Sequence, residues 1–193
     1  LTSLLLAPFI WLLGRYCTTD RLRVTVPLFQ RPLALPVLGD FSDLLVASAE
    51  FSPTDSLLTL GRRLANELSS LLSHQRYSGL EVMRELSRQQ GESALFPVVF
   101  TSGLNLPQGN LFSERVERVF GRMCWTTSQG PNVALDAQLV ELYGELLINW
   151  DVRLDAVPKA WVEALFADYV DALGVLAACP AMMLAPLAEA FPA

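Results

Sequence analysis

The chain has 193 residues, 52% of them hydrophobic, which suits one globular domain or one large lobe with a sizeable core. Its 14 Lys and Arg against 20 Asp and Glu give a formal net charge of -6, which argues against the basic surface that a nucleic-acid backbone requires. Cys17, Cys124 and Cys179 are odd in number and widely spaced with no CxxC pair, which suggests neither a disulfide framework nor a zinc site, and His74 as the single histidine excludes any two-imidazole site within this chain.

The opening LTSLLLAPFIWLLGRYC lacks a basic leader region and falls short of the roughly 20 apolar residues that cross a bilayer. It is expected to be a buried helix or strand, in a chain that is part of something longer. RLRVTVPLFQ alternates Arg21, Arg23 and Thr25 with Leu22, Val24 and Val26, the period of a strand, and a second strand is expected over 44–49. Ser52-Pro53-Thr54-Asp55 has the form of a helix start, with a Ser cap, Pro at the first position and an acid in the first turn. Leu57, Leu60, Leu64, Leu68 and Leu71 then mark one buried helical face, with His74 at the exposed end. A shorter helix is expected over 79–90, stopped by Gly91.

Strands are expected over 97–101, 119–127, 132–142 and 145–151, the last two joined as a hairpin through Tyr143-Gly144. A final helix starts near Pro158, with a broad apolar face that includes Trp161, Leu165 and Tyr169, and the Ala- and Pro-rich stretch after Cys179 is expected to be irregular. The fold class is α/β, a mixed sheet with packed helices. The division expected is one lobe over 1–177 and a tail or linker start over 178–193.

Two stretches carry polar groups at places a strand holds rigidly. In FPVVFTSGLN an apolar run delivers Thr101 and Ser102 to a strand end. In SQGPNVALDAQLV, alternation sends Val133, Leu135, Ala137 and Leu139 to one face and Asn132, Ala134, Asp136 and Gln138 to the other. On pattern alone the hydroxyls are equally strand-end groups bonding the backbone, and Asp136 a solvated strand residue. Nucleotide-binding glycine loops, nucleophile elbows and HExxH motifs are absent from the sequence.

The order of these motifs resembles the C-terminal half of a heterocyclization domain of nonribosomal peptide synthetases, a branch of the condensation-domain superfamily with the chloramphenicol acetyltransferase-like fold. The residues that carry the resemblance are LGDFSDL (38–44), YSGLEVMRELSRQQG (77–91), PVVFTSGL (97–104), SQGPNVALD (128–136) and LLINWD (146–151). The resemblance as a whole covers about 4–177. Against the family's SQTPQVWLD, Gly130 replaces Thr, Asn132 replaces Gln and Ala134 replaces Trp, and Ala137 stands where a polar residue is commoner. The DxxxxDxxS motif of the family's N-terminal half lies outside this sequence.

The resemblance implies a catalytic Thr at Thr101 and a catalytic Asp at Asp136, with Ser102, Ser128, Gln129, Asn132 and Gln138 in contact with substrate. It implies amide formation between carrier-protein-bound thioesters, followed by cyclodehydration of a Cys, Ser or Thr side chain to a thiazoline or oxazoline. Two alternatives stand beside it: a non-catalytic lobe that serves as a structural or docking platform, and a condensation-only acyltransferase. No cofactor bound directly and no metal is expected; phosphopantetheine would arrive on partner carrier proteins. The expected partners are those carriers and an N-terminal lobe of the same domain type, with neither nucleic acid nor membrane, in the cytoplasm.

Overall fold

The computed structural model describes residues 1–29, 41–91, 94–105, 113–128 and 130–191. The apolar opening segment is helix α1, Thr2–Tyr16, and every residue from 6 to 14 is buried. A helix that is apolar on all sides has no face to offer water, so it is driven inside. It lies between two further helices, α2 (Leu57–Ser73) and α5 (Lys159–Ala178). Tyr169 of α5 fixes that contact by donating its hydroxyl to the Leu5 carbonyl at 3.0 Å.

These helices rest on a five-stranded sheet with the order β2-β1-β3-β4-β5. The strands are β1 (Arg21–Phe29), β2 (Ser42–Glu50), β3 (Val98–Gly103), β4 (Leu135–Leu142) and β5 (Glu145–Val152). The three central strands β1, β3 and β4 run parallel, and each outer strand is the antiparallel arm of a pair, so the sheet is mixed as expected. Val24, Val26, Leu45, Ala47, Phe100, Ala137 and Leu139 fill the core beneath the helices. Helix α3 (Gly79–Gln90) packs against β2, and α4 (Glu114–Phe120) has no buried residue.

Helix α3 and the β4–β5 hairpin match the sequence expectation closely. Ser78 and Glu81 form a reciprocal capping box, and Gly91 stops the helix in the left-handed conformation at φ 72°. Tyr143 and Gly144, at φ 57° and 78°, form the two-residue turn whose twist suits a hairpin.

Three expectations fail, each for a physical reason. Ser52 to Asp55 is a turn and α2 begins later, with Ser56 Oγ accepting from the Thr59 N–H at 3.2 Å. The Asp55 carbonyl that a helix would use accepts instead from the Leu187 N–H at 2.7 Å, and the Pro53 carbonyl from the Ala188 N–H at 3.2 Å. The stretch 119–127 is not a strand. Ser113 caps α4 with Glu114 and Glu117 in the first turn, Gly121 ends it, and 121–128 is irregular. The stretch after Cys179 is ordered: a 3-10 helix, Pro180–Leu184, leads to a helical turn, Leu187–Ala190, whose Leu187 is fully buried. Among the described residues no helix is long and apolar enough to cross a membrane. The three cysteines are free and exposed, and His74 is exposed at the end of α2.

Candidate active site

The register of β3, β4 and β5 decides which side chains meet. Phe100, Ala137 and Trp150 are mutual neighbours across the sheet, as are Thr101, Gln138 and Asn149, and Val99, Asp136 and Asp151. Because adjacent residues along a strand face opposite ways, the first set points into the helix-covered core. Thr101, Asp136, Gln138, Asn149 and Asp151 all emerge on the other face.

There they form one network. The Thr101 hydroxyl donates to Asp136 Oδ1 at 2.8 Å. Gln138 Nε2 donates to Asp136 Oδ2 at 2.9 Å and to Asp151 Oδ2 at 3.0 Å, so one amide bridges two carboxylates. Its Oε1 accepts from Asn149 Nδ2 at 3.2 Å, which fixes the amide's orientation. Asp151 also accepts from the Ser128 N–H at 2.6 Å and the Thr127 hydroxyl at 3.2 Å.

Asp136 is half-buried, and burial pushes its carboxyl above the ordinary carboxylate range; the Thr101 and Gln138 bonds oppose that shift, and the negative charge of Asp151 adds to it. Each Asp136 oxygen takes one bond from the protein and keeps a further lone pair. A pocket of about 130 Å³ opens beside it, lined by Asp136, Asp151, Thr127, Ser128, Val133 and Arg153. A larger groove of about 400 Å³ lies between β2 and α2, away from this network. Its Arg63 and Glu67 bond the backbone of the outer strand at Glu50 and Ser48, so its polar groups are spent on sealing the sheet edge. The linked carboxylates border the smaller pocket.

Thr101, Asp136 and Gln138 are thus brought together, and Ser128 joins them through its backbone. Ser102 is on the other face, its hydroxyl 2.9 Å from Thr2 Oγ1 at the start of α1. Asn132 precedes the strand. It stands at φ 62° in a turn closed by the Val133 N–H to the Gly130 carbonyl at 3.3 Å, with Pro131 before it. Pro followed by a left-handed Asn is a type II turn signal, legible in the sequence and outweighed there by the alternation. Gly130 lets that turn close, since a Cβ there would stand 2.9 Å from Val133 Cγ2. Gln129 lies outside the described residues.

Asp151, the last residue of LLINWD, is a member of the network that the sequence reading misses. The hairpin could have found it, because a two-residue turn at Tyr143-Gly144 sets Asp151 directly opposite Asp136. Among the described residues no cluster of His, Cys, Asp and Glu is arranged to hold a metal ion.

No protein-family model matches the chain. It is 38% identical over 192 residues to the phenyloxazoline synthase MbtB of Mycolicibacterium paratuberculosis, an alignment that takes in 97% of this chain and 16% of that synthase. The cyclization-docking bidomain of EpoB from Sorangium cellulosum superposes with a TM-score of 0.76 at 29% identity, over 91% of this chain and 36% of that one. Along nearly its whole length the chain is similar to a cyclization domain of the nonribosomal peptide synthetases. The nonribosomal peptide synthetase FmoA3, in its AMPPNP-bound form, superposes with a TM-score of 0.84 at 31% identity, over 98% of this chain and 21% of that one. The mixed sheet with packed helices is that of the condensation-domain fold. The chain spans about a sixth of the length of the curated relative it matches, and about a third of the cyclization-docking bidomain fits one lobe of that domain type.

Proposed function

We propose that this chain is the C-terminal lobe of a heterocyclization domain and supplies its acid-base pair, Thr101 and Asp136. The domain would join two carrier-bound thioesters through an amide and then close a Cys, Ser or Thr side chain of the acceptor into a thiazoline or oxazoline. The observation that carries this reading is the 2.8 Å bond from the Thr101 hydroxyl to a half-buried carboxylate that borders an open pocket.

Ring closure forms a bond from the side-chain sulfur or oxygen to the amide carbonyl carbon. The C–O bond of that former carbonyl then breaks, and a C=N bond forms as the amide nitrogen gives up its proton. The side-chain proton and the amide proton both leave as water with the departing oxygen. The ionised Asp136 is suited to take the first proton and return it to the leaving hydroxyl, a role worth about 10²- to 10⁴-fold in rate. Because the Thr101 proton is given to Asp136, its oxygen is free to accept from the cyclised intermediate.

Two features support a second lobe that roofs the site. Small-molecule sites usually enclose about 300–1,000 Å³, and the pocket on Asp136 is well short of that. Phe120 and Trp125, a few residues before Thr127 along the chain, are 81% and 79% exposed, large apolar side chains that a second lobe would cover. The partners proposed are that N-terminal lobe and acylated carrier proteins, whose phosphopantetheine arms would enter as substrate.

The test joins this chain to its N-terminal lobe, adds loaded carriers and follows product mass. Loss of one water beyond the amide is expected, with Asp136→Ala lowering its rate by about 10²- to 10⁴-fold. Undiminished water loss in that variant would remove Asp136 from the mechanism, and amide alone in the wild type would favour a condensation-only enzyme.

A further inference from the structure

Asp136 and Asp151 are directly opposed across an antiparallel pair, an arrangement that like charges ordinarily disfavour. Gln138 makes it tolerable by giving one N–H to each carboxylate, and its remaining acceptor is held by Asn149. Asp151 is largely occupied by protein groups: the Thr127 hydroxyl donates to Oδ1, and Gln138 and the Ser128 N–H to Oδ2, which leaves one acceptor site on Oδ1. It has little left for a substrate, and its three bonds tie the segment at 127–128 to the strand beneath the pocket.

We propose that Asp151 is a positioning residue for the reaction at Asp136: it anchors Thr127 and Ser128 as the pocket wall and, through Gln138, fixes the direction in which the Asp136 carboxylate faces that pocket. The inference rests on the proposed acid-base role of Asp136. The charged groups that face Asp136 among the described residues are Asp151 from β5 and Arg153 on the pocket lining, and Arg153 is paired with Asp155 at 2.6 Å. Thr101 from β3, Gln138 from β4 and Asn149 from β5 complete its uncharged surroundings.

The two members of this arrangement act on Asp136 in opposite senses. The Asp151 charge raises its proton affinity, and the Gln138 bond lowers it. A reaction that needs ionised Asp136 fails as pH falls through its pKa. Asp151→Asn, which removes the like charge, should move that acid limb to lower pH. Gln138→Met, which removes a donor to the ionised form, should move it to higher pH. Both should also lower the rate of water loss by about tenfold to a hundredfold, as expected when a reacting group is misplaced by about an ångström.

The experiment measures the pH profile of ring closure in the complete domain with loaded carriers, for the wild type, Asp151→Asn, Gln138→Met and Asp136→Asn. Opposite displacements of the acid limb in the two middle variants are expected, and a loss of fold cannot produce them. Limbs that stay at the wild-type position, or that move together, overturn the inference while abolished water loss in Asp136→Asn keeps the function intact. Water loss that persists in Asp136→Asn removes the functional reading and this inference with it.

Discussion

A carboxylate half-buried beside a second carboxylate is held at a cost, and at Asp136 the cost has a pH dependence that can be measured. Burial raises its proton affinity in the folded state, so the folded protein binds that proton more tightly than the unfolded chain. The stability contributed is fully present below the unfolded pKa, about 3.9 for Asp, and is lost as pH rises through the folded value. Asp136→Asn removes that loss. Its melting temperature should exceed the wild type's at pH 7, with the margin shrinking as the pH approaches 4; an equal margin at both pH values would contradict the argument. The variant most damaging to ring closure is thus expected to be the more stable protein near neutrality, as happens where function strains a site.

At the scale of elements, the parts legible in the sequence were those whose signals are local. Helix α3 carries its own capping box and its own left-handed stop, and the hairpin carries its own turn. Ser78→Ala should therefore cost about 1 kcal/mol, read as a shift of the urea midpoint; no shift would show that packing of Gly79 over the Leu44 carbonyl holds α3 without its cap. The parts that were not legible depend on distant chain. Ser52 to Asp55 has every mark of a helix start, and it turns because backbone groups at 187 and 188 take its carbonyls. Val119 and Phe120 read as strand because they are apolar, and they are exposed in α4 because nothing among the described residues covers them. The same division holds in the site. Alternation along β4 placed Asp136 correctly, and the bond to Thr101 follows from β3 pairing parallel to β4, which no local pattern states.

Across the whole molecule the site and the core are two faces of one sheet. Directly beneath Thr101 and Asp151 their chain neighbours Phe100 and Trp150 face the other way, into an aromatic cluster built on Phe9 of α1. Phe9 has its ring centroid 5.4 Å from Phe100, 5.6 Å from Trp150 and 6.0 Å from Tyr169, and Trp150 lies 5.1 Å from Phe166. The edge-on contacts among them favour one arrangement over a loose apolar fill. Phe9 is fully buried, so Phe9→Ala should destabilise the protein by about 3–5 kcal/mol. Its effect should also reach the far face, because β3 and β5 are then no longer wedged at the positions that precede Thr101 and Asp151. Chemical denaturation gives the first quantity, and the fraction of product that has lost water, measured well below the denaturation midpoint, gives the second. A loss of under about 1 kcal/mol would mean that the cavity collapses freely; full loss of stability with unchanged ring closure would mean that the strands hold the site without the cluster beneath them.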